Sequence, residues 1–346
     1  MTGVSFVVPV HNGAAHLAET LASIAAQADG RPMQIIVVED GSNDESAALL
    51  RGLAEHYPLT VVAGPGLGAA AAVNAGITLA SHPIVCQVDQ DVVLERGWMA
   101  TLAAALGDPT IAAAQGSYVT DADASFFARV MGLDLEQRYQ SLGVQTDHVC
   151  TGNTAYRLSA LQAIGLLDES LGYGYDNDLS YRLQAIGYRL AFCRAARSRH
   201  RWREGLKGYL VQQYGFGYGR LDVVARHPNR YMGDAVSPAP MMAHALLTFA
   251  ALCLLTAGAV SGMVSGRTFG LVAAGLMLLV TLGIERAIAG VRAWRRFGDD
   301  AALAFPFVHL ARDAAWAAAV LVWGTRRVLR RPIKPGHSMT ARAAAR

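Results

Sequence analysis

Asp89 and Asp91 stand two residues apart at the end of an apolar run, in CQVDQDVV (86–93). Carboxylates are rarely buried without a partner. A hard divalent cation such as Mn2+ or Mg2+ takes one or two carboxylates together with substrate phosphate oxygens, so the pair can hold a metal that carries a phosphorylated substrate. A plain turn after a strand is the alternative. A second acidic pair, Glu39 and Asp40, ends the run in VVEDGSNDES (37–46). There, carboxylates can accept hydrogen bonds from a nucleobase imide or a ribose hydroxyl, while turn chemistry with Asp44 as a helix N-cap explains them equally well. A third group lies in YDNDLSYRL (175–183). Asp178 reads as an N-cap, and Asp176, in a Gly/Tyr-rich loop, is available to remove a proton. His200 sits in the basic segment SRHRWREG (198–205), where a lone histidine is more often structural.

A different chemistry is written in GPGLGAAAAVNAG (64–76). Gly64, Gly66 and Ala69 match the G-x-G-x-x-A dinucleotide fingerprint. That fingerprint normally follows the first strand of its sheet, whereas this one follows the third. A flexible loop before an Ala-rich helix is the other reading.

The elements that must position these residues alternate. Apolar runs at 4–10, 33–40, 59–64 and 84–91 read as strands, with helices expected over 16–26, 45–56 and 68–80. Continuous apolar strands separated by helices mark βαβ units with both sheet faces covered. The fold class is therefore α/β, and in such sheets ligands sit at the carboxyl ends of the strands, where the acidic pairs fall. A helix over 98–106, a strand over 111–119 and a helix over 124–142 follow. Leu179, Leu183 and Ile186 then share one helical face, which Gly187 is placed to end.

Composition points to a membrane region. Of 346 residues 53% are apolar and only 16% charged, and residues 241–284 hold almost none of the charge. After a proline-bearing linker at 226–240, Met241–Met263 and Thr268–Ile284 read as a transmembrane hairpin. Arg286, Arg292, Arg295 and Arg296 follow it, which favours a cytoplasmic location for both ends. The globular domain, 1–225, begins with a strand rather than a signal peptide and is expected in the cytoplasm of a plasma-membrane-anchored chain. A third segment, Phe305–Trp323, carries Arg312 and Asp313 near its middle and basic residues on both flanks. It is expected to be an interfacial or re-entrant helix within a basic region, 285–346. A net charge of +3 gives no reason to expect nucleic acid, and four scattered cysteines exclude a zinc ribbon or a disulfide scaffold.

Taken in order, the pieces over residues 4–225 resemble the family 2 glycosyltransferases with the GT-A fold, a Rossmann-like mixed sheet flanked by helices. Pro9, Val10 and Asn12 look like the family's Pro-Val-x-Asn strand end. Glu39-Asp40-Gly-Ser is similar to its Asp-Asp-Gly-Ser motif. Asn74 and Gly76 close its glycine–alanine helix, and Asp89-Gln-Asp91 is its D-x-D, followed by Gly97-Trp98. Thr151-Gly152-Asn153 stands where Gly-Gly-Asn is common, near the acceptor, and 175–183 resembles the motif of the catalytic base.

The resemblance implies inverting transfer of a sugar from a nucleotide-diphosphate donor, with Mn2+ or Mg2+. It implies Asp176 as base and Asp91, with His200, at the metal. Pro9, Val10, Asn12, Glu39, Asp40, Asn74 and Asp89 would then serve the donor, with Asp89 on the ribose side. Gly152, Asn153, Asp178, Arg201 and Trp202 would face the acceptor, for which a lipid-linked or glycolipid molecule is expected.

Departures exist. Tyr175 stands where the base motif usually has Glu, Val73 where Arg is common, and Ser198 where processive synthases carry Gln. The aromatic stretch 208–220 suits sugar stacking, a headgroup belt or ordinary packing. An NAD(P)-dependent oxidoreductase and a catalytically dead sugar-nucleotide-binding scaffold remain as rivals.

Overall fold

A computed structural model of the chain describes residues 1–265 and 269–329. Thr268, at the start of the expected second span, and the basic tail with Arg330, Arg331 and Lys334 lie outside the described residues. Two compact units form. The first comprises Met1–Asp121 with Arg138–Arg201; the second comprises Ala122–Gln137 with 202–329. The division falls at 201/202 rather than at the expected 225, because the helix over Leu206–Arg226 groups with the C-terminal helices.

In the first unit, β1 (Val4–Val10), β2 (Met33–Glu39), β3 (Leu59–Ala63) and β4 (Ile84–Val88) pair in parallel, in the order β3-β2-β1-β4. The helices α1 (Leu17–Ala25), α2 (Ser46–Leu53) and α3 (Ala69–Thr78) alternate with them. Every residue of β4 is buried, Gln87 included, as in a strand covered on both faces. α3 packs closely on β1: a Cβ on Gly76 would come within 2.4 Å of Val7 Cγ1. Only glycine admits that approach, and around it Val7, Ile36, Val38, Ala72, Val73 and Ile77 share one core cluster.

The sheet then becomes mixed. After β5 (Val92–Leu94), α4 (Trp98–Ala105), β6 (Ile111–Val119), α5 (Phe126–Tyr139) and β7 (Gln145–Thr146) come β8 (Asn153–Arg157) and β9 (Arg189–His200). α6 (Leu158–Ala163) and α7 (Tyr175–Ala185) lie between these last two strands. β8 runs antiparallel to both β4 and β6, and β9 pairs with β6, β5 and β7. Neither β8 nor β9 was expected. β9 reads RLAFCRAARSRH, in which exposed arginines break the apolar pattern.

The second unit holds most of α5 together with α8 (Leu206–Arg226), α9 (Ala239–Ser265), α10 (Phe269–Phe297) and α11 (Phe305–Val328). α9, α10 and a segment through α11 are each long and apolar enough to cross a membrane. α9 and α10 meet at small residues: a Cβ on Gly258 would come within 2.7 Å of Val272, and one on Gly275 within 2.9 Å of Ala251 O. The aromatic stretch belongs to α8, where Tyr209 is buried edge-on to Phe127 and Gln213 accepts from Trp316 Nε1, so packing accounts for these residues.

One expectation for this region is corrected. The residues after Ile284 continue α10 to Phe297 instead of forming a basic loop. α11 is one unbroken helix of 24 residues, roughly 36 Å at 1.5 Å per residue, and by length and composition it can cross a hydrocarbon core. Its charges were the reason to expect an interfacial helix, and they turn out to be paired. Arg286 Nη2 donates to Asp313 Oδ2 at 2.9 Å, and Arg312 reaches Asp313 Oδ1 and Asp134 Oδ2, each at 3.3 Å. His309 Nε2 lies 3.3 Å from Asp134 Oδ1, and His244 accepts from Arg286. Arg286, Arg312 and Asp313 are all buried. Desolvation on that scale is tolerable only with partners of this kind.

Candidate active site

β4 delivers Asp89 and Asp91 to its carboxyl end, and the structure accounts for the residue between them. The Gln90 side chain pairs with the backbone of His11, accepting from its amide at 2.9 Å and donating to its carbonyl at 3.1 Å. Gln90 thus fastens the end of β1 beside the end of β4. Gly13 is small because a Cβ there would come within 2.3 Å of Gln90 Oε1.

His200 arrives from the opposite direction. β5 and β9 are antiparallel with Val92 opposite His200, which puts the imidazole beside Asp91. His200 Nε2 lies 3.6 Å from Asp91 Oδ1, and the Asp91 carbonyl accepts from the Arg201 amide at 2.9 Å. Asp89, Asp91 and His200 each offer one ligand atom, all within 4.8 Å of one another. Two carboxylate oxygens and one imidazole nitrogen at that spacing form a donor set that can hold a divalent cation.

Asp89 is the most constrained of the three. Its amide donates to the Gly152 carbonyl at 3.2 Å, and its Oδ1 accepts from Gln87 at 2.9 Å. Burial, reinforced by the negative charges of Asp91 and Asp176, pushes its carboxyl up to about 7, against which the Gln87 amide works. Below about pH 7 the protonated form is therefore favoured in the folded, metal-free protein, and there a cation must displace that proton. Metal affinity is accordingly expected to weaken about tenfold for each pH unit below 7, from this group alone. Mn2+ titrations by calorimetry between pH 8 and pH 5 read it; a flat profile would show that Asp89 does not ligate.

Gly152 touches the same carboxylate. A Cβ at position 152 would stand 2.1 Å from Asp89 Oδ2, so this glycine makes room for Asp89 rather than meeting an acceptor. Gly152→Ala is expected to displace the carboxylate and weaken Mn2+ binding by about tenfold or more, within the range for losing a residue that orients a ligand. A titration indistinguishable from wild type would refute that role.

Asp176 occupies the first turn of α7, which starts at Tyr175 with Gly174 as its N-cap, rather than the loop before the helix. It is half-buried, and its Oδ1 accepts from the Asn177 amide at 2.9 Å. Tyr175, beside it, has its hydroxyl pushed well above the usual tyrosine range by burial and then by the charges of Asp89 and Asp176, so it stays protonated.

Several expected site residues do other work. Asp178 lies inside α7, buried, and binds Arg182 at 2.6 Å; that guanidinium also donates to the carbonyls of Ile164 and Leu166. Asn74 spends both ends of its amide on the loop after α6, donating to Leu167 O and Glu169 and accepting from Leu167 N. Asn153 is fully buried and accepts from Trp98 Nε1 at 2.6 Å, which also explains the Gly-Trp pair. Arg201 bridges Asp121 and Glu19. Trp202 is half-buried and begins the second unit.

The donor-side residues gather at the ends of β1 and β2. Pro9 and Val10 pair with Val38 and Glu39 in the ladder. Asn12, at φ 54°, donates its amide to Ser42 Oγ and accepts from the Asn43 amide. Burial pushes the Glu39 carboxyl up, but the Ser42 hydroxyl and amide outweigh it and leave Glu39 below its ordinary value.

Asp40 is buried and accepts from the amides of Gly66 at 2.6 Å and Gly68 at 3.1 Å. A Cβ on Gly64 would come within 2.5 Å of Asp40 Oδ1. The glycine run therefore wraps the chain's own aspartate, and amides that a dinucleotide pyrophosphate would need are already occupied. This removes the main support for an oxidoreductase.

Residues 5–165 match the sequence model described as Glycosyl transferase family 2. The match covers a little under half of the chain. A pre-mycofactocin glycosyltransferase of Mycobacterium tuberculosis is 28% identical over 71% of this chain and 52% of its own length. The chain thus spans about half the length of the first curated relatives it matches. Succinoglycan biosynthesis protein ExoA of Rhizobium meliloti is 25% identical over 91% of the chain and 94% of its own length. Among solved structures, a mannosyltransferase of Pyrobaculum calidifontis, in complex with GDP-Man and Mn2+, superposes with a TM-score of 0.59. It is 18% identical and covers 95% of this chain and 88% of its own, a likeness of fold. The chain thus has a GT-A-like mixed sheet followed by long apolar helices.

Proposed function

We propose that this chain is an inverting family 2 glycosyltransferase that moves a sugar from a nucleotide-diphosphate donor to a hydroxyl or phosphate of a lipid-linked acceptor. The observation that carries the reading is the Asp89–Asp91–His200 cluster, whose Asp89 feels the charge of Asp176. A cation-holding cluster and an independent carboxylate base in one site are what a single displacement at an anomeric carbon requires.

Asp89, Asp91 and His200 would hold Mn2+ or Mg2+, which supplies Lewis-acid stabilisation of a departing diphosphate. Asp176 takes the acceptor's proton as its oxygen attacks the anomeric carbon from the face opposite the leaving group, so the configuration inverts. Asn12, His11 and Ser42, held together by Gln90 and Glu39, shape the donor end of the site. The catalytically dead scaffold has no support in this geometry, since each acidic group the chemistry needs is in place.

Three helices long and apolar enough to cross a membrane support a place on a lipid surface, and with it an acceptor presented there. The arginines at the end of α10 favour the cytoplasmic face of the plasma membrane for the catalytic unit. The relative of nearly equal length is named for succinoglycan biosynthesis, which supports a cell-envelope product.

A thermal-shift screen of nucleotide sugars with and without Mn2+ tests class and donor together; Mn2+-independent stabilisation by NAD(P)H would overturn the class. Radiolabelled transfer to lipid extracts, compared with soluble glycans, tests the acceptor. Label confined to soluble products would remove the lipid.

A further inference from the structure

One titratable side chain beside Asp176 has no part in the chemistry above. His148 lies between β7 and β8 and is buried, with its Nε2 3.4 Å from Asp176 Oδ2. The opposite oxygen accepts from the Asn177 amide at 2.9 Å, so a nitrogen approaches the carboxylate on each side.

The segment that carries His148 is fastened at two points. Thr146 Oγ1 donates to the His148 carbonyl at 3.0 Å and faces the His148 amide at 3.4 Å. The Val149 amide donates to Ser180 Oγ at 3.1 Å, and that hydroxyl donates to the Asp176 carbonyl at 2.7 Å. A single hydroxyl thus joins the backbone next to His148 to the helical turn that presents Asp176. The backbones that carry the imidazole and the carboxylate are therefore tied to one another.

We propose that His148 is a positioning residue for Asp176, donating Nε2–H to Oδ2 and so holding the carboxylate in the orientation that meets the acceptor. A separation of 3.4 Å is long for an N–H···O bond, and catalytic hydrogen bonds commonly tighten only when substrate fills the site. His148 keeps its proton throughout; the acceptor's proton goes to Asp176. The inference rests on the reading of Asp176 as the base.

The test uses the full chain in detergent, with nucleoside diphosphate release measured from UDP-glucose, UDP-N-acetylglucosamine and GDP-mannose in Mn2+. Water serves as the acceptor, because its proton must leave through a base. His148→Gln carries its amide nitrogen close to the place of Nε2, whereas His148→Asn stops nearer Nδ1. Both are polar and conservative in volume, and thermal melting confirms their folding.

The expected result is kcat within about fivefold of wild type for Gln and about 10- to 100-fold lower for Asn, the scale of a small misplacement of a reacting group. KM for the donor and Mn2+ affinity should stay unchanged in both. Equal losses in the two variants, no loss in either, or a loss that appears in Mn2+ affinity would each overturn the inference. Asp176→Asn is the control. If it turns over like wild type, or if the wild type releases no diphosphate from any of these donors, the reading beneath the inference fails. If Asp176→Asn is inactive and His148→Asn is not, the inference alone fails.

Discussion

Asp176→Asn is expected to lower kcat by about 10²- to 10⁴-fold, the usual worth of a positioned general base, while nucleotide-sugar binding stays within about twofold. The substitution keeps the shape of the side chain, and the amide oxygen can still accept from the Asn177 N–H that now meets Oδ1. What is lost is proton affinity, and with it the activation of the acceptor. Because Asp176 also raises Asp89 through its negative charge, the neutral variant should let that carboxyl fall back towards its ordinary range. Single-turnover transfer with preloaded donor separates chemistry from binding. Turnover at the wild-type rate would remove Asp176 as the base.

The second large effect is expected at the metal cluster. Asp91→Ala deletes one of three ligand atoms, and its neighbour His200 loses the carboxylate 3.6 Å from Nε2. Removing residues that only orient a ligand commonly costs roughly 10- to 100-fold in metal affinity. Loss of a direct ligand should cost at least about 100-fold, with a comparable fall in kcat/KM. His200→Ala should weaken Mn2+ in the same direction. An unchanged Mn2+ titration in Asp91→Ala would show that the cluster does not hold the cation.

These expectations rest on features that were unequally visible in the chain itself. The βαβ half was legible because β1, β2 and β4 are largely apolar runs, the last two with acidic ends, and Asp89, Asp91 and Asp176 stood out by type and order. The ribose role expected of Asp89 sat poorly with its place among the three grouped ligand atoms. β9 was missed because exposed arginines interrupt that strand, so no clean alternation survives, yet β9 carries His200.

Gln90 and His148 carried no local signal. Each acts on a partner distant in sequence, 79 residues away for Gln90 and 28 for His148, and only the folded sheet brings the pairs together. Conversely, Asn74, Asn153 and Asp178 carried family motifs but serve packing. A polar residue near a site can be required because something else must be held still. Gly64, Gly66 and Gly68 resembled a phosphate loop for a related reason: closely spaced amides satisfy any carboxylate or phosphate, and here the carboxylate is Asp40.

The charged knot among the apolar helices bears on how the molecule is made. Asp134 leaves the ribosome 178 residues before Arg312, the arginine it pairs with, and Arg286 emerges 27 residues before Asp313. During synthesis each early member has to wait without its eventual counter-ion, at the surface or in translocon water, until α11 is complete. The last helix is thus the latch of assembly: a nascent chain halted before it holds an acid and a base with nowhere dry to go.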